Sequence, residues 1–215
     1  MKRNYSDRAE AGQCLAAALP QFRNSTQAIA LGLARGGVPV AAAAGAGLNI
    51  AFGALIVRKL GVPGQPETAF GALAIHQGNV VRVTNPSFVD RLLQHGTCSE
   101  DMEAVEERER AELMRRVADY ELCEADLTGK AVILVDDGLA TGYTMLAAVE
   151  AVRPSGPAAV VVAVPVGSIG AYRALRPAVD SIVCLQTPGD FRAVGSAYLD
   201  FGQVSDEAVI RILRR

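Results

Sequence analysis

Tryptophan is absent from this 215-residue sequence, histidine occurs only twice, and aromatic residues make up 5%. A core without large rings has to be filled by aliphatic side chains, and the abundance of alanine and the 21 glycines lets backbone segments approach one another closely. The four cysteines, Cys14, Cys98, Cys123 and Cys184, show no C-x-x-C or other metal-ligand spacing. With His76 and His95 the only imidazoles, a zinc centre is not expected, and the thiols read as reduced. No apolar segment follows Met1-Lys2-Arg3; Asn4, Tyr5, Ser6 and Asp7 come next, so no secretory signal is read there and a cytoplasmic protein is expected.

An excess of one charge is also missing. Lysine and arginine total 21 against 23 acids, a net charge of −2. That balance argues against a partner held by neutralising many phosphates, and nucleic acid is not expected. The distribution is uneven, however. Residues 100–126 hold 11 acids and 4 bases, a local −7 that leaves +5 elsewhere. A mildly cationic body suits a small anionic ligand, because a cleft focuses its field whatever the total charge. One charge-free stretch, Val38 to Val57, has the length of a membrane span, but Pro39, Gly45, Gly47 and Gly53 interrupt it. A short buried helix followed by a strand fits better, and no membrane partner is expected.

Half the residues are hydrophobic, and a chain of this length buries roughly 70% of its unfolded surface, enough for one core without disulfides. We read a single domain, 1–215. Continuous β-branched runs predict strands at Gln27–Gly32, Ile50–Arg58, Ala131–Asp136, Ala158–Pro165 and Val179–Leu185. Helical patterns fall at Ser6–Leu19, Val38–Ala46, Thr141–Arg153, Ser168–Leu175 and Ser205–Arg214. This alternation predicts an α/β fold, a doubly wound, mainly parallel sheet flanked by helices, with ligands at the carboxyl ends of the strands.

Residues 60–126 break the rhythm. Gly61-Val62-Pro63-Gly64-Gln65-Pro66 reads as a turn-rich loop, and Thr68–Ile75 with Val80–Thr84 as a hairpin around His76-Gln77-Gly78-Asn79. Thr97 and Glu100 form a capping-box pattern that opens a helix to about Cys123. Its apolar stripe, Met102, Val105, Leu113, Val117 and Tyr120, has a gap at Glu109, while Glu106/Arg110 and Glu112/Arg116 are spaced as ion pairs. The run reads as a solvated face, with Glu109 or Arg108 turned toward a ligand as the other option. The whole block is expected to form a hairpin-plus-helix hood, or lid, over the sheet's carboxyl edge.

The segment Val132-Ile133-Leu134-Val135-Asp136-Asp137-Gly138-Leu139-Ala140-Thr141-Gly142-Tyr143-Thr144-Met145 carries the most chemistry. A buried strand ends in two carboxylates, and a short loop with hydroxyls runs straight into a helix. Successive backbone N–H groups and a helix N-terminus favour a phosphate monoester. The acids suit vicinal hydroxyls, or Mg²⁺ through water. Together they describe a ribose 5-phosphate site. Neither a Walker loop nor a Rossmann glycine pattern is present.

This segment closely resembles the phosphoribosyl pyrophosphate (PRPP) motif of type I phosphoribosyltransferases. The resemblance implies that Asp136 and Asp137 hold the ribose hydroxyls and serve Mg²⁺ through water or PRPP. It also implies that Ala140, Thr141, Gly142, Tyr143 and Thr144 wrap the 5-phosphate. Gly138 stands where the family usually has an aliphatic residue or serine. Arg35-Gly36-Gly37, between a strand and a helix, resembles the family's pyrophosphate loop, and Arg58-Lys59 its strand-end cationic pair. The resemblance spans nearly the whole chain: Leu33–Ala41, Val57–Gly64 with Pro66-Glu67, and Phe201–Glu207 are similar to an uncharacterised bacterial and archaeal phosphoribosyltransferase-like group.

The resemblance implies transfer of a 5-phosphoribosyl group from PRPP to a nitrogen acceptor, a nucleobase or related heterocycle, with Mg²⁺ and release of pyrophosphate. Asp136, Asp137 and Lys59 would be the catalytic groups. An aspartate that hypoxanthine–guanine enzymes carry in the loop is replaced here by Ala140, which cannot exchange a proton with a purine, so that acceptor class is not expected. Acid–base work would then fall to Glu67, Glu109 or water. A PRPP-binding regulator without turnover and a structural homologue stay open as alternatives, as does a homodimer.

Overall fold

A computed structural model describes residues 4–120 and 125–214. Its seven strands are β1 (Ala28–Ala34), β2 (Ala51–Val62), β3 (Gln65–His76), β4 (Asn79–Thr84), β5 (Ala131–Val135), β6 (Ala159–Val166) and β7 (Ser181–Gln186). The helices are α1 (Arg8–Ala18), α2 (Gly37–Leu48), α3 (Pro86–Gln94), α4 (Ser99–Asp119), α5 (Tyr143–Val152), α6 (Ile169–Leu175) and α7 (Asp206–Leu213). All strands join one sheet in the order β4-β3-β2-β1-β5-β6-β7. From β2 to β7 the neighbours run parallel, and β3 and β4 extend the β2 edge antiparallel.

The continuous apolar runs have a direct cause. On β5, Val132 and Leu134 pack with Met145, Ala148 and Val149 of α5, while Ile133 and Val135 pack with Leu15 of α1 and Val40 and Ala44 of α2. Alternate side chains enter opposite apolar layers, so no position of the strand is left for a polar residue. Truncating a fully buried side chain such as Leu134 to alanine would cost about 2–5 kcal/mol.

Helix starts follow local chemistry. Asp7, Asn85, Ser168 and Ser205 each accept a hydrogen bond from the backbone N–H three residues on, capping α1, α3, α6 and α7. The capping box expected at Thr97 is not used. Cys98 is the residue before α4, no side chain caps that helix, and Glu100 instead accepts from the Cys98 thiol at 2.8 Å. The acids Glu100 and Asp101 in the first turn favour the helix start without a cap. The end expected near Cys123 lies outside the described residues.

The turn-rich loop expected at 61–66 is shorter than that. β2 continues to Val62 and β3 starts at Gln65, leaving Pro63-Gly64 as the turn, with Gly64 at φ 76°. Register shifts at Leu60/Gly61 and Gly61/Val62 absorb the irregular composition within the ladder. The second hairpin turns at Gln77-Gly78, both at positive φ, as a tight two-residue connection requires. Residues 60–126 therefore supply two strands of the main sheet as well as α3 and α4. Among the described residues no helix is long and apolar enough to cross a membrane.

Candidate active site

The carboxyl ends of β1, β2 and β5 open into a cleft of about 1180 Å³. Its lining brings together Arg35, Gly36, Arg58, Lys59, Asp136, Asp137, Ala140, Thr141, Gly142 and Thr144, from three separate segments. Two candidates stand apart. Gly37 is buried beneath the cleft, in the first turn of α2, and the Tyr143 side chain packs against the core beside α5, leaving its backbone alone for a ligand.

The glycine turn and the acid pair are fitted to one another. A Cβ at Gly36 would stand 2.1 Å from Asp137 Oδ2, and one at Gly37 would stand 2.4 Å from the Val135 carbonyl. Only glycine lets the turn lie against β5 this closely. Two helices start at the cleft, α2 after Gly36 and α5 after Gly142, the latter at φ 89°, and no side chain caps either one. Their first-turn N–H groups are the donors an anion needs.

Asp136 Oδ1 accepts from the Asp137 N–H at 2.9 Å. Burial and the neighbouring Asp137 charge push the Asp136 carboxyl well above its ordinary range, with Lys59 and Arg8 acting against the shift. Burial likewise raises Asp137, opposed chiefly by Arg8. These two hard oxygen donors have no third acid beside them, and no cluster of three metal-ligating groups occurs among the described residues. That donor set fits Mg²⁺ held largely by water and ligand oxygens, the usual mode for this ion.

Sequence reasoning missed several lining residues. Arg8, at the start of α1, donates to Asp137 Oδ2 from Nε at 2.9 Å and pairs with the same oxygen through Nη2 at 2.8 Å. The segment 194–204 follows β7 and contributes Val194, Phe201, Gln203 and Val204. The Tyr198 hydroxyl donates to the Asp137 carbonyl at 2.6 Å, and a Cβ at Gly138 would meet Val194 at 2.4 Å. Val194 thus fills the space that a side chain at position 138 would take. Nothing in an isolated N-terminal arginine signals its role, since it approaches the acids only through folding.

On the opposite wall, the gap in the α4 stripe is explained. Glu109 is buried and accepts from Arg58 Nε at 2.8 Å, with Arg108 also at its carboxylate. The expected pairs Glu106–Arg110 and Glu112–Arg116 both form. Asp206 gathers Arg35, Arg115, Arg116 and the Tyr120 hydroxyl, tying α7 to α4 and to the glycine turn. Glu67 lies on β3, but its side chain is outside those described.

Residues 9–201 match the family model described as "Phosphoribosyl transferase domain". Two Mycobacterium tuberculosis proteins, provisionally named phosphoribosyl transferases, are each 41% identical over 98% of this chain. The alignment covers 46% of each, so the chain spans about half the length of these curated relatives. The crystal structure of TT1426 from Thermus thermophilus is 39% identical, with a TM-score of 0.76 and coverage of 98% of this chain and 97% of that one. The AQ2163 protein from Aquifex aeolicus, 12% identical with a TM-score of 0.51 over 83% of this chain and 73% of its own, shares the fold alone. With its signature segment at the mouth of the cleft and these matches along nearly its full length, the chain belongs to the phosphoribosyl transferase domain family.

Proposed function

We propose that the protein transfers a 5-phosphoribosyl group from PRPP to a nitrogen acceptor and releases pyrophosphate. The observation that carries this reading is the single cleft that joins the acid pair, two uncapped helix starts and the Arg58-Lys59 pair. Thr141, Thr144 and the first-turn amides of α5 would take the 5-phosphate. Asp136 and Asp137 would take the ribose hydroxyls, and the Gly36-Gly37 amides with Arg35, Arg58 and Lys59 the pyrophosphate.

In the reaction, the acceptor nitrogen lone pair forms a bond to carbon 1 of the ribose as the carbon–oxygen bond to pyrophosphate breaks. The bonding pair leaves on pyrophosphate, and the acceptor's N–H proton passes to solvent or to the departing anion. Positive charge grows on the sugar beside Asp136 and Asp137, and negative charge grows beside Arg58 and Lys59, so both ends of the transition state meet opposite charge. Mg²⁺, when bound through water and PRPP at the acid pair, supplies further charge neutralisation for the leaving group. Closure of α4 and the β2–β3 turn over the cleft would exclude water, which otherwise hydrolyses PRPP.

Ala140 offers no proton to a purine ring, so hypoxanthine and guanine are not the favoured acceptors. The test is Mg²⁺-dependent pyrophosphate release from PRPP with hypoxanthine, guanine, adenine, uracil and orotate, using one enzyme preparation. Turnover with adenine, uracil or orotate is expected. A clear preference for hypoxanthine or guanine would overturn the acceptor assignment, and PRPP binding without turnover on any base would favour a regulator.

A further inference from the structure

Arg8 lies 129 residues from the acid it touches, and its guanidinium makes both edge and face contacts there. Nε donates to Asp137 Oδ2 at 2.9 Å, and Nη2 forms an ion-pair contact with the same oxygen at 2.8 Å. Nη1 donates to the Gly202 carbonyl at 2.8 Å, and the guanidinium carbon sits 4.0 Å from the centroid of the Phe201 ring. The ion pair is well shielded, with 13% of the Arg8 side chain and 15% of the Asp137 side chain exposed.

The choice of oxygen matters. Both arginine contacts fall on Oδ2, the oxygen nearer Gly36, and neither falls on Oδ1. The same guanidinium carries the 201–202 segment to the cleft wall, where Phe201 stacks at 4.9 Å against Tyr198, whose hydroxyl holds the Asp137 carbonyl. An arginine fork makes these planar contacts together, which an ammonium cannot.

We propose that Arg8 is a positioning residue for sugar binding, holding Asp137 through Oδ2 so that its other oxygen, Oδ1, meets a ribose hydroxyl. The inference rests on the PRPP reading and deepens it, by making α1 part of the sugar subsite. It requires that losing Arg8 harm ligands bearing ribose and spare those without it. A general structural role makes no such distinction.

The experiment measures binding of PRPP, ribose 5-phosphate and pyrophosphate, each with Mg²⁺, by isothermal titration calorimetry to the wild type, Arg8→Ala and Arg8→Lys. Loss of a charge-assisted contact predicts at least about tenfold weaker binding of PRPP and ribose 5-phosphate by Arg8→Ala. Pyrophosphate affinity should stay within about twofold, and Arg8→Lys should recover part of the loss by keeping one donor on Oδ2. If Arg8→Ala does not fold, Arg8→Lys carries the test alone, with a smaller loss again confined to the ribose ligands. Equal losses on all three ligands, or none on the ribose ligands, would overturn the inference while wild-type PRPP binding preserves the underlying reading. Failure of the wild type to bind PRPP would overturn both.

Discussion

Arg58 and Glu109 close the cleft from one side: the guanidinium of β2 rests on the carboxylate of α4, Nε to Oε2 at 2.8 Å and Nη2 to the same oxygen at 2.5 Å. Glu109 sits in the middle of an otherwise apolar helix stripe, so the pair both fastens α4 to the sheet and occupies a cation proposed for pyrophosphate. Glu109→Gln should therefore act in two directions. Stability should fall by about 1–3 kcal/mol, the cost of weakening a charge-assisted bond that is largely out of water. Affinity for Mg²⁺-pyrophosphate should rise, because Arg58 is released. Urea denaturation and calorimetry on the same variant check both, and weakened pyrophosphate binding would mean that Glu109 serves the ligand by positioning Arg58.

Gly36 and Gly138 give a paired steric prediction. Gly36→Ala places a methyl group where Asp137 Oδ2 now lies and should weaken PRPP binding by at least about tenfold, through displacement of the carboxylate. Gly138→Ala meets Val194 instead and should destabilise by about 1–3 kcal/mol, the usual cost of overpacking. Val194→Ala added to Gly138→Ala should recover most of that loss. A double-mutant cycle in thermal denaturation checks the pair, and additive effects would deny the contact.

The junction between α4 and α7 should be sensitive to acid. Hydrogen bonding from Arg115 lowers the Glu112 carboxyl from 4.5 to about 2, and Arg116 adds to the shift. Burial would raise Asp206, but the Tyr120 hydroxyl and Arg115 outweigh it and hold that carboxyl below its ordinary range. Both acids are more acidic folded than unfolded, so their stabilisation is complete above about pH 4.5 and is lost as pH falls toward 2. Asp136 and Asp137 are raised and act oppositely, contributing stability at low pH that is lost as pH rises through their folded values. Thermal midpoints should therefore fall as pH drops below about 4.5, with the acid pair acting against that fall. Glu112→Gln should make the fall shallower, and Asp136→Asn should remove its opposing contribution.

If the edge built from residues 60–126 closes over the ligand, amide exchange should be fast near the Pro63-Gly64 turn and slow when PRPP and Mg²⁺ are added. Hydrogen exchange followed by mass spectrometry reads this directly. Slow exchange at that turn without ligand would argue against closure.

The parallel core was legible because each strand is apolar on both faces, as Val132 to Val135 illustrate, and because the helices between them begin at serine, aspartate or glycine. The acid pair and glycine turn were legible from local pattern alone. Arg8, Tyr198 and Val194 were not, since their relation to Asp137 and Gly138 arises when the chain's two ends fold onto β5. Glu109 left a partial trace as a break in helical periodicity, and its partner Arg58 could be paired with it only in three dimensions. The capping pattern at Thr97 misled because a local motif competes with the actual chain entry, one residue later.

Thermal denaturation with saturating PRPP and Mg²⁺, on the wild type and on Asp136→Asn/Asp137→Asn, tests the central claim most directly. At a hundredfold excess over Kd, a ligand held only by the native state adds about 2.7 kcal/mol, or about 5–10 °C in Tm for a chain of this size. The wild type should show that shift and the double variant should lose it, with the unliganded double variant still folding cooperatively. An equal shift in both proteins, or none in the wild type, would contradict that claim.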